Sequence, residues 1–363
     1  MAKKRIICTV TNDLNYDQRM IRICTSLVNA GYDVTLIGFK RKKSKPIIER
    51  TFQQVRLPII AEKGKILYVD YWLKLFFYLL FCKADILCAI DLDTIIPVYY
   101  ASKIRGKKRV YDAHELFTEL QEVVTRPRVY RMWRWIEQHT VPSFPVGYTV
   151  GAYIADVFHE RYGVNYQLVR NMTVLKPLTI PEKADRYILY QGAVNVGRCF
   201  EFLIPAMKQV NAQLIICGEG NFFKEAKAIT AQHQLEEKVI FKGYIPPYEL
   251  KQYTLNAYVG ITLFEAVAFS NKMSLANRFF DYLHSGVPQL CMKYPEYEKI
   301  NHEFEVAHLI EEPTPEKIAA GLNFLLENES NYLHLQQECL KAREKYCWQE
   351  EEKTLLKVYE QFR

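Results

Sequence analysis

Ser270-Asn271-Lys272-Met273-Ser274-Leu275-Ala276-Asn277-Arg278-Phe279-Phe280-Asp281-Tyr282-Leu283-His284-Ser285-Gly286-Val287-Pro288 reads as a polar loop entering a helix. The helix is expected over Asn277–Ser285 and is closed by Gly286, with a strand resuming at Val287–Cys291. Phe280, Leu283 and Val287 fall on one face, while Asn277 and Asp281, one turn apart, share another near the helix entry. A carboxylate there can accept hydrogen bonds from two ribose hydroxyls, beside a helix N-terminus that favours a phosphate.

The same rhythm extends outward in both directions. Upstream, Arg186–Tyr190, Gln213–Cys217, Val239–Phe241 and Tyr258–Leu263 read as strands, with helices over Phe200–Val210, Phe222–Gln234 and Pro247–Asn256 between them. In the first half, strands are expected at Arg5–Val10, Asp33–Phe39, Ile86–Ile90 and Arg109–Tyr111. The spacing of Met20, Ile21, Ile23, Cys24, Leu27 and Val28 predicts a helix over Asp17–Ala30. Strands separated by helices imply parallel sheets, so the chain is α/β, two doubly wound Rossmann-like domains in series. The join is placed near Val169–Pro181, where Asn, Thr and two Pro break the pattern. Such sheets bind ligands at the carboxyl ends of their strands, and the cleft between two facing domains is the default site. The tail, Pro315–Leu326 and Tyr332–Arg363, reads as helical.

Composition sets the class. With 363 residues, 49% of them hydrophobic, and 15 Gly and 15 Pro, the chain is neither disordered nor fibrous. Nine Cys with no C-x-x-C pair point to a reducing compartment rather than a disulfide framework or zinc ribbon. No signal peptide is read at the start. The most apolar stretch, Ile66–Cys82, is interrupted by Asp70 and Lys74 and falls short of the roughly 20 apolar residues needed to span a bilayer. The net charge of +7 is uneven: residues 1–170 carry 27 Lys/Arg against 16 Asp/Glu, the remainder 21 against 25. A basic half points to an anionic partner.

Three further segments suit a phosphate-bearing ligand. Leu189–Arg198 (LYQGAVNVGR) is a strand, a glycine loop and a helix start, where backbone N–H groups can face an anion and Arg198 adds a fork for its oxygens. Gly192 and Gly197 would otherwise serve only tight turns. Leu214–Gly220 (LIICGEG) places Gly218 after a buried strand. Val239–Pro246 (VIFKGYIP) puts Gly243 and Tyr244 at a strand end, where a base can rest.

These four segments, in this order, resemble the carboxyl-terminal domain of GT-B glycosyltransferases, in particular the large retaining group that uses nucleotide-sugar donors, the glycosyl transferases group 1. The pattern S-L-x-N-(K/R)-x-F-(E/D)-Y-x-x-x-G-x-P is the specific element. Thr11–Arg19, Ala84–Leu87, Asp91–Thr94, Val110–Leu116 and Gly147–Gly163 resemble amino-terminal segments of the same group. The resemblance implies an acceptor-side domain over 1–170, a nucleotide-sugar-binding domain over 171–345, and a final helix over 346–363 crossing back to the first domain. It implies donor contacts from Gly192, Asn195, Arg198, Gly218, Gly243, Tyr244, Ser274, Leu275, Asn277 and Asp281.

It also implies transfer of a sugar with retention, without a cofactor and without a metal. In that chemistry the departing diphosphate takes the acceptor proton, and Arg198 stabilises its charge. Asp91-Leu92-Asp93 matches a metal-binding D-x-D but lies in the first half and reads as a loop after a strand. His114, at a strand's carboxyl end, is expected to hydrogen-bond the sugar or polarise the acceptor hydroxyl, or else to cap the next helix with Asp112.

Two positions depart from the family. The first of its two glutamates, seven residues apart, falls at Met273, and the second is Asp281. The Arg that often follows the loop glycine is Ala193. An epimerase of related fold and a binding protein without catalysis are the rival readings. The basic clusters Lys40–Lys45, Lys103–Arg109 and Arg126–Arg134, the last interleaved with Tyr130, Trp133 and Trp135, suit an anionic membrane surface and a lipid-linked acceptor, or simply a solvated face over an aromatic core. No nucleic-acid module accompanies them. The expected location is cytoplasmic, at the inner face of the membrane.

Overall fold

The computed structural model describes residues 3–62, 64–182, 186–265, 272–273 and 275–362. The chain divides into two compact units, Met1–Asn171 with Gln349–Arg363, and Met172–Trp348.

Unit one runs β1 (Arg5–Thr9), α1 (Gln18–Asn29), β2 (Asp33–Lys40), β3 (Gln53–Pro58), α2 (Gly64–Phe81), β4 (Ile86–Ile90), α3 (Leu92–Arg105), β5 (Lys108–Ala113), α4 (Gln121–Val124), α5 (Pro127–Thr140), β6 (Gly147–Thr149), α6 (Ala152–Tyr162) and β7 (Gln167–Leu168). All its strand pairs are parallel, in the order β3-β2-β1-β4-β5-β6-β7. β4 is buried along its whole length, as a central strand covered on both faces should be. Asp17 caps α1 by accepting from the Met20 amide at 3.0 Å. The last helix returns to this unit, where the Tyr359 ring packs edge-on against Tyr32 with centroids 6.2 Å apart and its hydroxyl meets Cys88 Sγ at 3.4 Å.

Unit two runs β8 (Ile188–Gln191), α7 (Phe200–Ala206), β9 (Leu214–Cys217), α8 (Phe223–Gln232), β10 (Val239–Gly243), α9 (Pro247–Asn256), β11 (Val259–Thr262), α10 (Asn277–His284), β12 (Gln289–Met292), α11 (Pro295–Glu303), β13 (Ala307–Ile310), α12 (Pro315–Glu327), α13 (Glu329–Lys345) and α14 (Trp348–Glu360), the last shared with unit one. Its sheet is parallel in the order β10-β9-β8-β11-β12-β13. In each sheet the order reverses beside the first strand, between β1 and β4 and between β8 and β11. A crevice opens at the carboxyl ends of such neighbours.

The elements depart from the sequence pattern in a few places. The helix expected over Phe200–Val210 tightens to a 3₁₀ turn at Met207–Gln209, just after Pro205 removes a helix donor. The helix at Asn277 ends at His284. Gly286 adopts φ +62°, so Val287 reaches the core from beyond the helix rather than from its face. Asp91 and Asp93 do not form a free loop: Asp91 sits at the start of α3 and Asp93 in its first turn.

Candidate active site

The loop Gly192–Cys199 leaves β8 at the switch point of unit two. Backbone hydrogen bonds stitch it to the neighbouring strand end: the Gly192 amide donates to Cys217 O at 3.0 Å and the Val194 amide to Glu219 O at 3.0 Å. The Gly218 amide continues the row to Gly243 O at 2.8 Å. Gly218 has φ +154°, and a Cβ there would stand 1.8 Å from Gly192 O, so only glycine lets these two loops meet. Asn195 Oδ1 accepts from the Asn221 amide at 3.0 Å, while Asn221 Oδ1 accepts from the Val196 amide at 3.0 Å. Asn195 therefore locks the loop. Along one sheet edge the order is Tyr244, Gly243, Gly218, Gly192, with the Tyr244 ring exposed at the far end.

The sequence reading missed the most consequential side chain of this edge. Arg278, in the first turn of α10, is 8% exposed. Its Nη1 donates to the Tyr190 hydroxyl at 2.9 Å and to Gln191 O at 3.3 Å, and its guanidinium lies 4.7 Å from the Tyr190 ring centre. Nε and Nη2 are buried with no hydrogen-bond partner among the described residues. A Cβ on Gly192 would meet Nη1 at 3.2 Å, so this cation reaches the glycine loop itself. Arg198 is nearby: burial, and then the Arg278 charge, pull its pKa below the usual arginine value. Its guanidinium faces the Phe264 ring at 5.8 Å. Among the described residues no carboxylate forms an ion pair with either arginine. Buried charges are ordinarily paired, because desolvating a lone ion costs several kcal/mol. Two guanidinium groups without a carboxylate partner among the described residues suit an anion at the glycine loop. A signal for Arg278 was present, since at helical spacing it shares a face with Asp281 and Tyr282.

Asp281 is half-buried on α10. Its Oδ2 accepts from Gln191 Nε2 at 3.0 Å and its Oδ1 from the Thr173 hydroxyl at 3.2 Å. Gln191 is itself oriented by the Thr254 hydroxyl, which donates to Oε1 at 2.7 Å. These contacts hold the carboxylate in a fixed orientation. Leu275 is half-buried on the approach to α10, and Asn277, the first residue of that helix, is exposed. Ser274 lies outside the described residues.

His114 belongs to unit one, at the end of β5. Nε2 faces Asp112 Oδ2 at 3.0 Å and Nδ1 faces Asp91 Oδ2 at 3.2 Å. Burial disfavours the charged ring, but Asp112 and Asp91 outweigh it and raise the pKa well above the histidine norm. Asp112, fully buried, also receives Arg19 through Nη2 at 2.8 Å and Nε at 3.3 Å. Both ring nitrogens of His114 are occupied by carboxylates, which favours the imidazolium form. To touch a substrate, the ring must exchange one of these carboxylates for it. Asp93 accepts from the Thr11 hydroxyl, and burial followed by the Asp91 charge pushes its carboxyl up to about 8.

Comparison with known proteins gives a consistent set of likenesses. Residues 179–345 match the model of the glycosyl transferases group 1, and residues 18–171 match Glycosyltransferase Family 4. No curated protein matches the chain by sequence. Among solved structures, sucrose-phosphate synthase from Thermosynechococcus elongatus is similar with a TM-score of 0.79 at 14% identity, covering 99% of both chains. Anabaena Alr3699/HepE in complex with UDP and glucose is similar with a TM-score of 0.77 at 12% identity, over 99% of this chain and 100% of that one. A glycosyltransferase from Rickettsia africae is similar with a TM-score of 0.73 at 11% identity, over 100% and 99%.

Proposed function

The chain belongs to the glycosyl transferases group 1 and is an enzyme that transfers sugars, and on that premise we propose that its donor is a nucleoside-diphosphate sugar whose diphosphate lies over Gly192–Gly197. The observation that carries this reading is the buried Arg278, two of whose N–H-bearing nitrogens have no partner among the described residues beside the glycine loop, with a second cation at Arg198 that forms no ion pair among them. Where relatives of this group place an arginine directly after the loop glycine, this chain has Ala193. The guanidinium of Arg278 arrives at the same loop from helix α10 instead. Asp281 holds the ribose, and Gly243 and Tyr244 flank the base. The UDP and glucose in the complex of the Anabaena protein support a donor of this class.

In the proposed step the bond from the sugar's anomeric carbon to the phosphate oxygen breaks, and its electron pair leaves on the diphosphate. The acceptor oxygen bonds the anomeric carbon, and its proton passes to a departing phosphate oxygen. Anomeric configuration is retained. The guanidinium groups meet the growing charge, so the reaction is proposed to proceed without metal. His114 acts as a positioning residue, an imidazolium that ties the ends of β4 and β5 together on the acceptor-side unit. The acceptor is proposed to be lipid-linked, in cell-surface polysaccharide or glycolipid synthesis.

The test is a thermal-shift panel of UDP-, GDP-, ADP- and dTDP-sugars, followed by sugar release from the best binder with EDTA present. One donor class is expected to raise the melting temperature by several degrees, as a ligand at about 100 times its Kd does. If none does, the donor reading fails, and release abolished by EDTA removes the metal-free mechanism.

A further inference from the structure

Helix α2 is apolar on all sides yet lies at the surface of unit one. Tyr71, Leu75 and Leu79 are fully buried on its inner face. On the opposite face Ile66, Val69, Leu73, Phe77 and Phe81 recur at three- and four-residue spacing and are 55–83% exposed. A helix in water normally turns a polar face outward, so five large apolar side chains in one exposed row need a partner. Helix α2 packs against α3, and α3 against α5. These neighbours extend the face with exposed Tyr100 and Ile104 on α3 and Trp135 on α5, whose ring stacks on His139.

The charges around this face have one sign. The three helices carry seven Lys/Arg against three acids. Each acid is already engaged: Asp70 pairs with Lys74 at 2.7 Å, Asp93 accepts from Thr11, and buried Glu137 accepts from Arg134 at 2.8 Å, Tyr162 at 2.8 Å and Thr118 at 3.1 Å. Lys65, Lys103, Arg128 and Arg131 remain exposed. Of the aromatics interleaved with the last basic cluster, Trp133 is core, whereas Tyr130 and Trp135 are exposed. No helix among the described residues is long and apolar enough to cross a membrane.

We infer that this face docks unit one on an anionic lipid bilayer, with the outer stripe of α2 lying in the headgroup boundary and the surrounding Lys and Arg on acidic headgroups. A protein partner would be expected to meet some carboxylate of its own on this rim. An apolar stripe flanked by aromatics and cations, with each acid of the three helices held by a neighbour, matches the chemistry of an interfacial helix. The inference does not depend on which sugar or nucleotide the enzyme uses.

The test is co-sedimentation of the full chain with phosphatidylcholine vesicles containing phosphatidylglycerol, against pure phosphatidylcholine, at low and high salt. Binding is expected only to the anionic vesicles, weakening as salt rises. Phe77→Ser with Phe81→Ser should lower the partition coefficient at least about tenfold with no fall in melting temperature, because both side chains are already in water. Arg128→Glu with Arg131→Glu should abolish the preference for anionic lipid while leaving the apolar stripe intact. Absence of vesicle binding overturns the inference, as does binding unchanged in both variants. A dimer in sedimentation velocity that the serine variant dissociates would assign the stripe to a second copy of the chain and overturn it equally.

Discussion

Arg278 Nη1 donates to the Tyr190 hydroxyl at 2.9 Å, and Tyr190 donates in turn to Ala193 O at 2.7 Å, which ties a buried cation to the loop it would serve. The arrangement leaves two guanidinium nitrogens buried and without a partner among the described residues. In the free protein this is a cost, since an unpaired buried charge is destabilising. With a diphosphate bound it becomes a pair of charge-assisted hydrogen bonds. Arg278→Gln is therefore expected to lower turnover about 10²–10³-fold while leaving the melting temperature of the free protein unchanged or higher. A matching loss of stability and activity would make Arg278 a structural residue.

Much of the second unit could be read from the sequence, because its strands are central and continuously apolar. Ile188–Gln191 and Val259–Thr262 are buried throughout and carry the period that marks them. β3, Gln53–Pro58, is an edge strand, half-exposed and rich in polar residues, and leaves no apolar run to detect. β6 and β7 are only three and two residues long. The glycines of the site were legible because tight turns favour glycine. Helical spacing puts Arg278 on the face of Asp281, but its burial was not legible, because that depends on Tyr190 lying across it from a distant strand, a pairing that no local pattern encodes. The two carboxylates that occupy His114 are hidden in the same way: Asp91 ends β4 while Asp112 and His114 end β5, and only the β4–β5 register brings them together.

Arg198 reaches the same loop with less burial and no ion-pair partner among the described residues. Arg198→Ala is expected to reduce turnover about 10²-fold or more, with a smaller loss of stability than a core truncation gives, because the half-buried side chain packs on the Phe264 ring and forms no ion pair among the described residues. Steady-state kinetics beside a melting curve measure both. Proportional losses would remove the phosphate role.

Asp281→Asn replaces one acceptor by a donor between Gln191 Nε2 and the Thr173 hydroxyl, both of which donate to the carboxylate. With the new amide nitrogen turned to Thr173, whose hydroxyl can also accept, both contacts can persist, so stability should change by less than about 1 kcal/mol. A ribose hydroxyl also loses an acceptor, so affinity for nucleoside diphosphate should fall about tenfold while affinity for inorganic pyrophosphate stays the same. Titration calorimetry with the two ligands separates the effects. Equal affinity for the nucleotide in variant and parent would take Asp281 out of the site.

The Asp91–Asp93–Asp112–His114 group makes unit one's stability depend on pH in two opposite senses. His114 has a raised pKa in the folded state. Its contribution is complete below the unfolded value near 6.5 and is lost as pH rises through the folded value. His114→Asn should therefore lower the melting temperature by about 2–6 °C near pH 6 and by less near pH 10. Asp93 is also raised, to about 8, but for a carboxyl the sign reverses. Ionising it opposes folding, and the penalty grows from about pH 4 to about pH 8. Asp93→Asn keeps an acceptor for the Thr11 hydroxyl and removes that penalty. It should leave stability unchanged near pH 4 and raise it by a few degrees near pH 9. Melting curves of both variants across that range check the signs, and an Asp93→Asn variant less stable than its parent at high pH would mean that the carboxylate is favourably held rather than strained.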